Sequence, residues 1–321
     1  MGVAVDAYLT GIFPRSEELI AATRGFDRRR VTKREVDVAL QRDVEGLVRL
    51  QLEAGLDCLS DGLLNWQDAF RPLVEAWGGL SPGGLKRWFD NNTFFRQPVI
   101  SASLEPGPIS REYLQVDSLP EGNPRKAIFP GPYTFSDLAE DHHYSQPTEV
   151  IPSVARCLAH VCREMKGLGY THIQFSEPSL AVNPPSDDLL EVVRQAYEIL
   201  RGVDGLQLSL HLFFSPTGSL LPDLLDFPVD AIGLDLYEED LSRLKDVDFD
   251  KILGCGCIDG RNSLLETPEE IVDLASRVLD ALSPTGLILC PNTGLEFLPR
   301  SVAVEKVRSL GQARTQLEEV G

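Results

Sequence analysis

Short apolar runs of strand length alternate with amphipathic helical segments along almost all of this 321-residue chain. The runs fall at 7–12, 55–60, 126–129, 171–175, 206–213, 230–236, 251–258 and 286–290. Several are apolar on successive rather than alternate residues, the pattern of parallel strands covered on both faces. The helices between them carry legible ends. Thr32 and Glu35 form a capping box before Val36, Leu40, Val44 and Leu47, and Gly55 closes that segment. Ile151, Val154, Leu158, Val161 and Met165 make a second stripe, ending near Gly167 or Gly169. Thr267, Pro268 and Glu270 open a third helix, whose core face is Ile271, Leu274, Val278 and Leu282. Segments 187–200 and 299–312 also read as helices.

Eight strands with a helix after nearly every one predict an α/β fold, a (β/α)8 TIM barrel forming one domain over residues 1–321. The competing open doubly wound sheet would often carry a glycine-rich dinucleotide fingerprint after its first strand; Gly11-Ile12-Phe13-Pro14 does not match it. The stretch from about 66 to 125 is too long for a simple connection. It is expected to be an insertion after strand 2, beside the barrel mouth, with a helix and a hairpin pairing 97–103 with 112–116.

Composition narrows the partners. A formal net charge of −19 repels nucleic acid and anionic membrane, and the acidic residues are interspersed with basic ones as on a solvated surface. The six cysteines (Cys58, Cys157, Cys162, Cys255, Cys257 and Cys290) lie in apolar stretches, which predicts free thiols and a reducing, cytoplasmic setting. The chain shows neither a leader pattern nor an apolar run long enough for a membrane span. A small-molecule substrate is the expected partner.

Chemistry in such a barrel collects where strands run into their following loops. Those positions hold Arg15, then Asp61 with Asp68 beyond, the stretch 130–134, Glu177, His211, Asp235, the stretch 259–262, and Asn292 with Thr293. Asp61 and Asp259 read equally well as helix or turn caps. A lone histidine such as His211 is commonly a satisfied core residue. The recurrence of polar groups at one end of the strands predicts a polar pocket, because gathering them in a core is costly. Arg15, Arg96 and Arg261 could grip a carboxylate or phosphate, and Asn262 adds a donor and an acceptor beside Arg261. Glu177 and Asp235 could bind an amino group or pair with those arginines. Trp66, Trp88, Phe94 and Phe95 could stack on a flat ligand or simply pack. Cys255, Cys257 and Cys290 near His211 could form a thiolate-rich zinc site, or act as small hydrophobes.

The segments YLTGIFPR (8–15), EAGLDCLSDG (53–62), RWFDNNTFF (87–95), FPGPYT (129–134), QFSEP (174–178), GCGCIDGRN (254–262) and PNTGL (291–295) together resemble the cobalamin-independent methionine synthases, in order and over essentially the whole chain. The resemblance independently implies a barrel. It also implies methyl transfer to a thiol such as homocysteine, from a methylated folate or, in single-barrel relatives, a methylated corrinoid protein. Zinc activates the thiol by lowering its pKa. The family's zinc ligands fall here on His211, Phe213, Asp235 and Thr293, so both thiolates are missing and the glutamate is a shorter aspartate. The two carboxylates expected at the homocysteine amino group are Leu63 and Ser176. Residues 87–95 and 259–262 look more like the N-terminal, non-catalytic barrel of the long enzymes.

Three readings follow. One is a methyltransferase with a degraded zinc site at His211 and Asp235, helped by Cys257 or Cys290. The second is an accessory barrel that binds folate, a corrinoid protein or a catalytic sister subunit. The third is a metal-free enzyme resembling uroporphyrinogen decarboxylases, working through Arg15, Arg96 and Asp61 on an acidic substrate.

Overall fold

A computed structural model describes residues 3–245 and 247–320. Strands β1 (Val5–Ala7), β4 (Lys126–Pro130), β6 (His172–Ser176), β7 (Gln207–His211), β8 (Ala231–Asp235), β9 (Ile252–Ile258) and β10 (Gly286–Pro291) form one all-parallel sheet in the order β1-β10-β9-β8-β7-β6-β4. Single parallel bridges, Tyr8 to Cys58 and Leu59 to Arg125, join its two edges through the eighth position and close the (β/α)8 barrel. The expected strand at 55–60 is thus reduced to two bridges, because side chains take over its ladder bonds. Asp57 Oδ2 accepts the N–H of Ala7 at 2.8 Å, and Gln51 bonds both the N–H and the C=O of Ser60 at 3.0 and 2.8 Å.

The surrounding helices are α1 (Glu17–Asp27), α2 (Lys33–Glu53), α3 (Arg71–Ala76), α4 (Pro132–Leu138), α5 (Pro147–Gly167), α6 (Pro178–Val182), α7 (Asp187–Arg201), α8 (Leu221–Leu225), α9 (Leu241–Leu244), α10 (Pro268–Leu282) and α11 (Arg300–Val320). Both expected capping boxes are made, at Thr32/Glu35 and Thr267/Glu270. Helix α11 runs well past the expected 312. Among the described residues no helix is long and apolar enough to cross a membrane. All six cysteines are buried and free.

The insertion holds α3 and a hairpin, but the strands differ from those expected. Strand β2 (Gly78–Arg87) pairs antiparallel with β3 (Phe94–Glu105), and the short β5 (Glu140–Asp141) adds to the β3 edge. Residues 112–116 instead form turns leading into a short 3-10 segment. The expected pairing missed β2 because Gly78, Gly79, Pro82, Gly83 and Gly84 disguise it as loop. Aromatic packing fixes this hairpin to the barrel: Phe70 lies 5.1 Å from Phe95, 5.5 Å from Phe135 and 5.9 Å from Trp88, centroid to centroid.

Inside the barrel Tyr8, Cys58, Ala231, Ile288 and Cys290 form a separate small core. Lys126 is buried beside it, its Nζ 3.3 Å above the Tyr8 ring and donating to Leu9 O at 2.8 Å. Burial pushes its pKa down to about 7.

Candidate functional site

A cavity of about 780 Å³ opens at the C-terminal rim, bounded by the loops after β1, β7 and β10, the C-terminal ends of β4 and β6, the segment 63–69 after the eighth strand position, and the β2–β3 turn. This is the end of the barrel at which ligands bind in this fold. The loops after β1 and β10 are fastened to each other. Leu295 N donates to Ile12 O at 2.8 Å, and Thr10 Oγ1 donates to the carbonyls of Pro291 and Thr293. They touch through glycines: a Cβ on Gly11 would lie 2.6 Å from the Cα of Gly294, so neither position admits a side chain without moving the backbone. Trp66, Trp88, Phe94, Phe95, Phe129 and Phe213 supply aromatic wall.

Of the sequence-predicted site residues, Arg15 and Asp68 line this cavity. Arg15 is partly buried, and among the described residues it has no hydrogen-bond or ion-pair partner. Burial lowers its pKa from the ordinary arginine value, an effect too small to discharge it. Arg300, also in the lining, is committed: it pairs with buried Asp43 at 2.8 Å and donates to Pro14 O at 2.6 Å. Asp68 is committed too. Its Oδ1 accepts the N–H groups of Phe70 and Arg71, both at 2.9 Å, and its Oδ2 accepts Arg96 N at 3.1 Å, so it caps α3 and holds the hairpin.

The remaining expected residues are occupied elsewhere. Arg96 contributes its main chain to that clamp, while its guanidinium reaches Gly83 O on the hairpin and not the cavity. Asp61 is buried and turned onto Leu63 N at 2.9 Å and Gln115 N at 3.4 Å. Glu177 is fully buried beneath α4. It accepts Tyr133 N at 2.9 Å, Thr134 N at 2.6 Å and Tyr197 OH at 3.3 Å, and burial pushes its pKa up to about 7. Arg261 pairs with Glu238 at 2.6 Å and approaches Asp235 at 3.5 Å over the Phe214 ring. Asn262 closes its own turn onto Leu264 N at 3.1 Å.

The expected metal residues do not converge. Burial pushes the His211 pKa down to about 3, so the ring is neutral; its Nε2–H donates to Asn292 O at 2.8 Å. The other ring nitrogen, Nδ1, lies against Gly233, where an added Cβ would fall 1.9 Å from it. Asp235 spends both oxygens on Asn292 Nδ2 at 2.8 Å and on the N–H groups of Phe214 and Tyr237, each at 3.2 Å. Cys257 and Cys290 point their thiols at strand carbonyls, and burial raises the Cys290 pKa. Cys255 lies beside Cys257, and its main-chain oxygen accepts the Cys290 thiol at 3.5 Å. Among the described residues no three His, Cys, Asp or Glu side chains are grouped to hold a metal ion. These residues do not fit a zinc site.

By contrast, Phe213, Thr293, Ser176 and Leu63 all line the cavity. These are the positions onto which the resemblance laid the missing thiolates and amine-binding carboxylates. Sequence reasoning missed Glu296, which also lines it. Glu296 Oε2 is sealed from solvent with no hydrogen-bond partner, and burial pushes the carboxyl pKa up to about 8. Its place directly after the PNTGL segment was the available signal.

An eight-position parallel barrel with its cavity at the C-terminal rim and a hairpin over the mouth defines a (β/α)8 barrel of the methionine synthase type. Residues 79–282, more than half the chain, match the model of the cobalamin-independent synthase N-terminal domain. The chain belongs to the cobalamin-independent methionine synthase family. It is 24% identical to a methionine synthase of Sulfolobus acidocaldarius over 92% of this chain and 87% of that one. Its fold is similar to a B12-independent methionine synthase from Shewanella in complex with selenomethionine, with a TM-score of 0.79, 18% identity and 99% of each chain covered. It is also similar to a putative enzyme of that kind from Listeria monocytogenes, with a TM-score of 0.75, 16% identity and coverage of 98% and 99%.

Proposed function

We propose that this barrel binds a small organic acid in the rim cavity through Arg15, and that it serves methionine-synthase-type methyl transfer without activating a thiol on zinc of its own. The observation that carries this reading is the joint placement of Phe213, Thr293, Ser176 and Leu63 around the cavity. The family's reaction chamber persists by position, while the sulfur ligands and amine-binding carboxylates that would work there are replaced by apolar and neutral groups. A guanidinium that lacks a protein partner, partly withdrawn from water, favours an anionic guest.

In this reading the methyl donor, a folate or a methylated corrinoid, and a thiol acceptor such as homocysteine meet on a sister subunit that holds zinc, with this chain as the accessory barrel. The decarboxylase-like alternative required Arg15, Arg96 and Asp61 around one ligand; Arg96 lies on the outer hairpin, and Asp61 is turned onto main-chain N–H groups.

The test is a titration of intrinsic fluorescence, since Trp66 and Trp88 line the cavity. 5-Methyltetrahydrofolate and simple aryl carboxylates are expected to perturb the signal saturably. Arg15→Met is expected to weaken binding by about 10–100-fold, the worth of a charged hydrogen-bonded contact. Equal affinity in the variant would refute the anchor. Methionine formation from homocysteine by the isolated chain would refute the zinc-free reading.

A further inference from the structure

We infer that this chain pairs with a second copy of itself through two apolar patches of opposite charge at the C-terminal rim. The β2–β3 hairpin of one copy docks on the loops after β8 and β9 of the other, and the reverse. Both surfaces face solvent, and neither depends on what the cavity holds.

Exposed apolar side chains are ordinary when scattered singly. Among the described residues, the four most exposed large ones instead fall into two pairs: Leu264 (73%) with Leu265 (51%), and Leu85 (64%) with Phe94 (55%). Both pairs sit at the same end of the barrel. Leu264 and Leu265 lie on the loop after β9. Tyr237, exposed on the loop after β8, is hydrogen-bonded through its OH to Glu266 Oε1 at 3.1 Å, which sets it beside them. Leu85 and Phe94 lie in the hairpin at the cavity mouth. Its register sets Leu85 opposite Arg96 and Arg87 opposite Phe94, so these four share one face. Phe95, one residue on, points the other way, into the aromatic packing that holds the hairpin to the barrel.

The two patches differ in sign. Around Leu85 and Phe94 the hairpin carries Lys86, Arg87 and Arg96, all exposed, against Asp90 at its turn. Among the described residues none of the three basic groups pairs with a carboxylate; Arg96 reaches only Gly83 O. The loops at 236–240 and 259–266 carry Glu238, Glu239, Asp240, Asp259 and Glu266, with Arg261 as their one base. Arg261 is held by Glu238, and even with Lys306 on Glu266 and Arg243 near Asp240, carboxylates outnumber bases there. On a chain of formal net charge −19 the exposed basic face is the exception, and another copy supplies its complement. A two-fold pairing uses each patch once per copy, which closes the dimer and leaves neither apolar pair in water. Because Phe94 also borders the cavity, the pairing brings the partner copy to its entrance.

The experiment is sedimentation velocity of the full chain over about 1–100 µM. The wild type is expected to show a monomer–dimer equilibrium whose Kd rises as salt is added, because the contact is charge-assisted. Lys86→Glu with Arg87→Glu, and separately Leu264→Lys with Leu265→Lys, are each expected to raise Kd by about 10-fold or more, since each sets like charges against one another. All four positions are exposed, so both double variants are expected to fold as the wild type does. Mixed together, they can form one contact with the charges reversed and one with wild-type residues, and a mixed dimer is expected that neither variant forms alone. A wild type that stays monomeric throughout the range overturns the pairing. So does a dimer that both double variants leave intact, and so do variants that remain monomeric when mixed.

Discussion

His211 donates Nε2–H to the main-chain oxygen of Asn292 at 2.8 Å, joining the end of β7 to the loop after β10 across the top of the barrel. Its other nitrogen lies against Gly233, which as a glycine leaves the ring its place: a Cβ there would fall 1.9 Å from Nδ1. The one zinc ligand that the family pattern retains is therefore a cross-brace. Protein dialysed without chelator is expected to carry far less than one zinc per chain by elemental analysis, and His211→Ala is expected not to change that content. Stoichiometric zinc that disappears in the variant would restore the metal reading.

Glu177 serves α4 rather than a ligand. It satisfies the N–H groups of Tyr133 and Thr134 at the helix start, which has no side-chain cap of its own. Glu177→Ala leaves those two donors buried, and urea denaturation is expected to show a loss of about 2–6 kcal/mol, at roughly 1–3 per unsatisfied group. A variant of unchanged stability that no longer binds ligand would make Glu177 a binding residue instead.

Lys126 gives a pH signature with a definite sign. Its folded pKa of about 7 lies below the ordinary 10.5, so between those values the unfolded chain takes up a proton that the native chain refuses. Its contribution to stability is fully present above about pH 10.5 and is lost as pH falls toward about 7. The stability of the wild type relative to Lys126→Met is expected to rise with pH across that window in denaturant titrations at fixed ionic strength. A flat difference would show that the buried amine keeps its ordinary pKa.

The barrel was legible because its determinants are local and periodic: continuous apolar runs, two capping boxes and glycine stops. The second strand and the hairpin were misjudged where side chains overrode the pattern. Gln51 and Asp57 captured ladder bonds at 57–60, and β2 is rich in glycine and contains a proline. At the site, Arg15 stood among the strand-end candidates beside Arg96 and Arg261, and of these three it alone lines the cavity. The sequence could not distinguish the free arginine from Arg261, which is paired, because that depends on Glu238, 23 residues away in sequence and met only in three dimensions. Asp61, Asp68 and Glu177 sit at strand ends as catalytic carboxylates would, yet they point back at main-chain N–H groups. Glu296 lay in plain view, but its lack of a partner is something only the packed loops reveal.

The central claim is that the working site is the rim cavity with Arg15 as its anion anchor. The most direct measurement is a crystal structure of the protein soaked with an acid that quenches its tryptophan fluorescence. The expected density has the acid group on the Arg15 guanidinium and the ligand body against Trp66, Phe95 and Phe129. Density outside this cavity, or a metal peak joined to His211 and Asp235, would contradict it.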